Sequence, residues 1–303
     1  MRPTELVYSS HDRCEYLHGH WIVERALEGP DNRTIFYLPC SSPSRGDQEY
    51  SWGTFRPYFE RFRERGLEAR HFYWSEDLRR EDVELFFRWL EESRVVILGG
   101  GMTTTGLERY ADFGRRLGDP ERFVRVLRER QARGLYNVGF SAGADQLCEW
   151  SCDGGVRCLG LIERVIVQLH HGMEHAERVA RLARSYPDCY VFGLPNDSGI
   201  AVTQGRTPSG GRWQFLQFVT DESWDRPEDQ WHIKTRHGMR IEYRGPDGRD
   251  WRFNGGDVLL RFLRDGDPRG EAFVAGPHYP GYIDLHTGDP VGTSDDRRLI
   301  EAR

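Results

Sequence analysis

A serine within a glycine-rich turn is the residue of this sequence best placed for chemistry. Ser141 lies in the run Gly139-Phe140-Ser141-Ala142-Gly143, between a β-type apolar segment and a helix-type segment. Glycines on both sides permit the tight strand-to-helix turn that lifts a serine hydroxyl off a sheet. The backbone N–H of Ala142 is then a natural donor to an oxyanion. This pattern indicates a nucleophile, with a simple N-cap serine as the alternative.

A serine nucleophile needs a base, and the base needs a group that orients it. His170 and His171 directly follow the apolar run Val165–Leu169. Because neighbouring residues of a strand point to opposite faces, only one of the two faces the serine, and we expect His170. Asp153, which precedes two glycines, is the candidate that orients the imidazole; a turn residue is the alternative interpretation.

A second glycine-rich turn, Gly99-Gly100-Gly101, follows the apolar run Val95–Leu98. Its backbone N–H groups can approach a bound group closely, so Gly100 or Gly101 is a candidate second oxyanion donor. A loose strand-to-helix turn is the alternative. The triplet is too short for a phosphate-binding loop and lacks the GxGxxG pattern, so we expect no dinucleotide cofactor.

The elements that must position these residues alternate between strands and helices up to about residue 205. The strands are predicted at 34–38, 69–74, 94–98, 135–140, 165–169, 190–193 and 200–203, and the helices at 52–65, 80–93 and 120–134. This alternation predicts an α/β fold with a mostly parallel sheet and helices on both faces. In such sheets ligands bind at the carboxyl ends of the strands, where both glycine turns fall.

The pattern of the sequence changes after residue 205, from alternating strand-like and helix-like segments to mainly strand-like aromatic runs. We therefore divide the chain into a catalytic α/β domain, residues 1–205, and a β-rich C-terminal extension, residues 206–303. Strands are predicted in the extension at 213–220, 231–235, 240–243 and 251–253, with 258–263 a short helix or strand and the chain after Gly266 loop-like. A lid, a dimer face and a substrate-recognition module remain alternatives for its role.

Composition excludes several classes of protein. The net charge is −6 and charges of both signs are interspersed, so nucleic acid is not an expected partner. Apolar runs stay shorter than the roughly 20 residues that span a bilayer, so we expect no membrane partner. The six cysteines fit reduced thiols of a cytoplasmic protein, and their spacing does not predict a metal site.

The order of these motifs resembles the dipeptidase E and cyanophycinase group of serine peptidases, which have the class I glutamine-amidotransferase-like fold. The resemblance covers about residues 30–205 and rests on three further segments beside the serine motif: Leu98–Thr103, Val165–His171 and Val191–Val202. It implies Ser141 as nucleophile, His170 as base and Asp153 as third member of a triad, with no metal or organic cofactor.

The resemblance also implies a substrate pocket for a short or modified peptide, with an aspartyl or β-aspartyl linkage. Its predicted residues are Met102, Gln168, His171, Arg178 and Asn196. Arg178 can clamp a substrate carboxylate, or it can belong to a solvated helix face. Met102, Gln168 and Asn196 depart from the family's usual residues, which puts aspartyl specificity in question.

Two other functions stay open at the level of sequence. One is a C–N hydrolase or transacylase that acts on a small non-peptide amide. The other is a non-catalytic binding protein that kept the fold. A homodimer is a further expectation, tied to the extension.

Overall fold

Fourteen strands and seven α-helices make up the computed structural model, which describes residues 2–12, 14–207, 210–221, 234–264 and 266–291. The strands are β1 Glu5–Tyr8, β2 Thr34–Leu38, β3 Glu68–His71, β4 Val95–Leu98, β5 Tyr136–Phe140, β6 Val165–Gln168, β7 Tyr190–Gly193, β8 Ser198–Arg206, β9 Arg212–Thr220, β10 Ile241–Arg244, β11 Asp250–Phe253, β12 Val258–Arg264, β13 Asp267–Ala275 and β14 Ile283–Asp284. The α-helices are α1 Glu24–Leu27, α2 Arg45–Glu60, α3 Arg80–Glu92, α4 Thr103–Arg116, α5 Arg122–Ala132, α6 Ala142–Leu147 and α7 Ala176–Ser185. A π-helix at Leu17–Val23 runs into α1, and short 3₁₀ turns lie at Arg63–Arg65, Met173–His175 and Thr235–His237.

A ten-stranded sheet forms the centre of the fold, in the order β14-β13-β12-β9-β8-β1-β5-β4-β2-β3. The five strands from β1 to β3 are parallel. Every pairing from β8 outward is antiparallel. A second sheet has the order β11-β10-β7-β6, with only β6 and β7 parallel. The predicted α/β class is confirmed, but the sheet is mixed rather than mostly parallel, because the strands after β7 pair as antiparallel neighbours.

Both faces of the parallel strands are buried. Successive residues of β2 and β4 alternate between two apolar clusters, as the period of a strand requires. On one face Phe36 and Leu38 pack with residues of α3, α4 and α5. On the other face Ile35 and Tyr37 pack with residues of α2 and the π-helix. The helices therefore cover both faces and fix the positions of the strand ends.

The C-terminal extension continues both sheets. Strand β9 forms a hairpin with β8, and β12, β13 and β14 follow at the edge of the ten-stranded sheet. Strands β10 and β11 add to the second sheet through β7. The division at residue 205 stays a prediction, but the described strands on its two sides share hydrogen-bonded sheets.

Several elements differ from the predicted ones. Strand β1 was not predicted, although it lies in the middle of the main sheet. Helix α2 begins earlier than expected, at a capping box formed by Ser44 and Asp47. The stretch after Gly266 is loop-like only in part, because residues 267–275 form β13, which pairs with β12. Residues 258–263 are part of a strand, whereas most of the predicted strand 231–235 lies outside the described residues.

Of the helices in the described part of the chain, none has the length and apolar character that a bilayer span requires.

Candidate active site

Ser141 occupies a strained turn between β5 and α6. Its φ of 50° and ψ of −124° lie outside the usual regions for a residue with a side chain. Two glycines make this turn possible. A Cβ at Gly143 would overlap the carbonyl of Leu98, and one at Gly139 would overlap the carbonyl of Gly143. The chain thus packs backbone against backbone here, and the serine side chain projects from the end of the sheet.

The second glycine-rich turn lies beside this serine. Leu98 pairs with Gly139 in the sheet, so β4 and β5 end together. A Cβ at Gly100 would lie 3.3 Å from the Cβ of Ser141. Ala142 is the first residue of α6, and its N–H has no carbonyl partner within that helix. Two of the three predicted oxyanion donors, Gly100 and Ala142, therefore lie next to Ser141, and the third, Gly101, lines the same cavity.

His170 contacts Ser141 directly. Its Nε2 is 3.3 Å from the Ser141 Oγ, and its Nδ1 is 2.7 Å from Oδ1 of Asn196. Because an amide oxygen only accepts, Nδ1 carries the proton and Nε2 is free to accept from the serine hydroxyl. His170 follows β6 with a φ of 52°, and its N–H donates to the Ser9 Oγ at 2.6 Å. The structure thus brings together the side chains predicted to be the nucleophile and the base.

Asp153 is placed differently from the prediction. Its carboxylate pairs with the Arg178 guanidinium, and its side chain is 75% exposed. The backbone N–H of Asp153 donates to the Ser151 Oγ within the same turn, while Arg178 also donates to the carbonyl of Cys152. The turn is therefore tied to α7, and Asn196 occupies the position beside His170 that was expected for Asp153.

Two predicted substrate-binding residues also have other contacts. The Asn196 Oδ1 accepts a hydrogen bond from His170, the predicted base. The His171 side chain is fully buried, and its Nε2 bonds to Glu242 of β10 at 3.1 Å. Both residues lie beyond the end of β6 at Gln168, and their side chains point to different places: His170 toward Ser141 and His171 toward Glu242 in the second sheet. Neither Asn196 nor His171 lines the cavity beside Ser141, and substrate contact by either side chain stays a prediction.

A cavity of about 460 Å³ opens beside Ser141 and His170. This volume is within the usual range for small-molecule sites. Its walls come from the glycine turn, the start of α4, the 151–156 turn and the loop before α7: Gly101, Met102, Thr103, Thr104, Ser141, Ala142, Ser151, Cys152, Asp153, Val156, Gln168, Leu169, His170, His175 and Arg178. Met102, Gln168 and Arg178 therefore lie where the sequence predicts.

The side chains that line the cavity differ in exposure, in hydrogen bonding and in the pKa shifts that burial causes. Met102 is 53% exposed. Gln168 is buried and donates to the carbonyl of Leu169. Burial lowers the pKa of His175. Burial raises the pKa of the Cys152 thiol to about 12, so this cysteine stays protonated near neutral pH and is not a competing nucleophile.

A buried carboxylate connects two walls of the cavity. Asp145 accepts from the Thr103 Oγ1 at 2.8 Å and from the Cys152 N–H at 2.7 Å. Burial raises the pKa of Asp145 above its usual range. These bonds join the start of α4 to the 151–156 turn, so Asp145 stabilises the walls of the cavity.

Within the described ranges, no group of three or more His, Cys, Asp or Glu side chains is arranged to hold a metal ion.

Sequence reasoning missed Ser9 and the role of Asn196. Ser9 follows the short apolar run Leu6–Tyr8, and recognising that run as a strand would have placed this hydroxyl at the sheet edge. Asn196 follows β7, the strand parallel to β6. Its position at a neighbouring carboxyl end was the available signal, because such ends meet at one edge.

Comparison with known proteins gives three results. The model of Peptidase family S51 matches residues 6–208. Peptidase E of Salmonella arizonae is 27% identical over 146 residues, which are 42% of this chain and 60% of that protein. The chain therefore matches less than two thirds of the length of this curated relative. The crystal structure of a peptidase from an acI-B1 Actinobacterium aligns with a TM-score of 0.58 at 15% identity, over 85% of this chain and 96% of that one. At that identity the likeness concerns the fold.

Proposed function

Because the chain belongs to Peptidase family S51, we propose that it is a serine peptidase in which Ser141, His170 and Asn196 form the reacting group. The observation that carries this proposal is the 3.3 Å contact between the Ser141 Oγ and Nε2 of His170. A nucleophile in a strained turn, hydrogen-bonded to an oriented imidazole, is the geometry that acyl transfer requires. We also propose that the fold is of the class I glutamine-amidotransferase-like type, because the order of the motifs along the chain resembles that of the dipeptidase E and cyanophycinase group.

In the proposed reaction, Ser141 attacks the carbonyl carbon of an amide bond. His170 takes the hydroxyl proton and then gives it to the leaving amine, which breaks the C–N bond and leaves an acyl-enzyme. Water, deprotonated by His170, attacks the ester carbonyl, and the proton returns to Ser141 as the acid leaves. The N–H groups of Ala142 and of Gly100 or Gly101 are the proposed donors to the oxyanion.

Asn196 gives this reacting group a neutral third member. Its Oδ1 accepts from Nδ1 of His170, so it holds the tautomer whose Nε2 accepts from the serine. An amide carries no net charge, so it stabilises the imidazolium less than a carboxylate would. Cysteine peptidases with a Cys-His-Asn arrangement show that an asparagine can fill this position.

The proposed substrate is a short or modified peptide. The cavity volume of about 460 Å³ suits a dipeptide-sized ligand. Among the described residues that line the cavity, Arg178 is the only arginine, and Asp153 already pairs with it. A substrate carboxylate would have to compete with Asp153 for that cation, so aspartyl specificity remains a proposal. The six unpaired cysteines support a reducing, cytoplasmic location.

A serine-directed fluorophosphonate tests the proposal without knowledge of the substrate. We expect wild type to be labelled at Ser141 and Ser141→Ala to lose labelling. Ser75→Ala is the matched control, because Ser75 lies in a loop between β3 and α3 and should leave labelling unchanged. Absence of labelling in folded wild type would contradict the proposal and favour a non-catalytic binding protein. Hydrolysis of α-aspartyl, β-aspartyl and non-acidic dipeptides then identifies the substrate class, and activity on non-peptide amides alone would favour the C–N hydrolase.

A further inference from the structure

The extension reaches the residue next to the proposed base. His171 is covalently adjacent to His170, and its ring is completely buried. Nε2 of His171 lies 3.1 Å from Oε2 of Glu242, whose side chain is only 12% exposed. Glu242 is on β10, beyond the end of the family match at residue 208. A part of the chain outside the family model therefore contacts the segment that carries the base.

Close packing and hydrogen bonds hold His171 in place. A Cβ at Gly193 would lie 2.6 Å from the His171 Cγ, so the ring packs directly on the backbone of β7. The backbone N–H of His171 donates to the carbonyl of Leu194 at 2.8 Å. Lys234, also in the extension, donates to the carbonyl of His171 at 3.4 Å. Contacts on the ring and on both backbone polar groups thus hold this residue.

His170 depends on such support because its backbone conformation is unfavourable. A φ of 52° places His170 in the left-handed region, which is unfavourable for a residue that has a Cβ. Strain of this kind persists only where the surrounding structure enforces it. On the N-terminal side the enforcing contact is the bond from the His170 N–H to Ser9. On the C-terminal side it is the buried His171.

We propose that Glu242 is a positioning residue, contributed by the C-terminal extension, that holds the His170 imidazole against Ser141 through the buried His171. This proposal rests on the proposed function of Ser141 and His170. It gives the extension a role that differs from a lid, a dimer face or a substrate-recognition module: its β10 strand completes the support of the base. A displacement of His171 would be transmitted directly to His170, since one peptide unit separates the two histidines.

The proposal depends on the reach of the Glu242 side chain rather than on its charge. The bond from His171 holds the pKa of Glu242 below its usual range. Arg252 is 3.8 Å away and largely exposed, so it contributes a weak second contact. A glutamine at position 242 keeps an acceptor oxygen at the same distance. An aspartate keeps the charge but is shorter by one methylene and leaves the His171 Nε2 without its partner.

The experiment therefore compares Glu242→Asp with Glu242→Gln. The measurement is the inactivation of the full chain by the fluorophosphonate, separated into the maximal rate constant and the half-saturating concentration. We expect Glu242→Asp to lower the maximal rate constant by about tenfold with the half-saturating concentration within about twofold of wild type, because misplacement of a catalytic group affects chemistry more than binding. Glu242→Gln should recover most of the lost rate.

A matched control is Glu271→Asp. Glu271 also belongs to the extension, on β13, but its carboxylate pairs with Arg264 at the surface. It should leave the inactivation rate unchanged. Equal rates for Glu242→Asp and wild type would overturn the proposal, as would a Glu242→Gln variant that is as slow as Glu242→Asp. A melting temperature that falls while the rate at a lower temperature stays constant would show a merely structural bond and also overturn it. If wild type itself is not labelled at Ser141, the proposed function fails first.

Discussion

The turn that carries Ser141 depends on glycines close to it in the chain, whereas the side chain and N–H of His170 depend on residues far from it in the sequence. The serine turn needs Gly139 and Gly143, two positions away on either side. The histidine needs a hydroxyl near the N-terminus, Ser9, and an amide beyond the next strand, Asn196. Local sequence therefore encodes the nucleophile, and the assembled sheet encodes the base. Substitutions at the two places should fail in different ways.

The largest effect is expected on the nucleophile side, for Gly143→Ala. The added Cβ would overlap the carbonyl of Leu98. The backbone of Leu98 belongs to β4 and that of residue 143 to α6, so neither can move without moving its strand or helix. We expect a loss of several kcal/mol in the free energy of unfolding, since overpacking at a site that cannot relax typically costs about 1–3 kcal/mol or more. Fluorophosphonate labelling should be lost as well. Chemical denaturation and labelling measure the two effects.

Gly53→Ala is the control for this substitution. Gly53 lies on the exposed side of α2, and a Cβ there meets nothing within 4 Å. In a helix interior, alanine is favoured over glycine by about 1 kcal/mol. The control should therefore be as stable as wild type or more so. A Gly143→Ala protein with wild-type stability and labelling would show that the turn has room, and the local half of the comparison would be lost.

The next largest effect is expected on the base side, for Asn196→Ala. Without Oδ1, Nδ1 of His170 loses its 2.7 Å acceptor and the imidazole is free to adopt the wrong tautomer or rotamer. Loss of the correct tautomer in serine peptidases lowers turnover by as much as about 10⁴-fold, and we expect at least about 10²-fold here. The fold should persist, because the change is confined to one side chain at the sheet edge. The maximal inactivation rate measures the effect.

Asn196→Asp separates orientation from charge. A carboxylate keeps the acceptor and adds a negative charge that stabilises the imidazolium, so the rate should equal or exceed that of wild type. Asn32→Ala is the control, since Asn32 bonds to the carbonyl of Glu92 away from the site. An Asn196→Ala enzyme that reacts as fast as wild type would remove Asn196 from the reacting group.

The same contrast explains what could be predicted from sequence. The family resemblance, inferred from motif order, is confirmed by the match over residues 6–208. The serine turn could be located because its constraints lie within five residues. His170 could be located because a clear apolar run ends beside it. In both cases a short local pattern, a turn motif or an apolar run, carried the information.

The remainder depended on pairing between distant segments. Strand β1 has four residues in a polar context, and its place between β5 and β8 follows from the sheet rather than from local propensity. Strand β13 contains residues typical of loops and becomes a strand through its register with β12. Glu242 reaches His171 only because β10 joins β7. The residue type and position of Asp153 predict a partner for the His170 imidazole, but its carboxylate pairs with Arg178 instead.

The smallest effect is expected for Asp153→Asn, which sharpens the contrast by testing the residue that sequence favoured as the third member. Its side chain is 75% exposed and pairs with Arg178, and such exposed pairs contribute about 0–1 kcal/mol. The maximal inactivation rate should therefore stay within about threefold of wild type. The substitution frees the guanidinium beside the cavity, so KM for acidic dipeptides should fall while KM for neutral dipeptides changes little. Measurement of both substrate classes with Asp153→Asn and Arg178→Gln separates binding from chemistry. A rate loss as large as that of Asn196→Ala would instead return Asp153 to the third position.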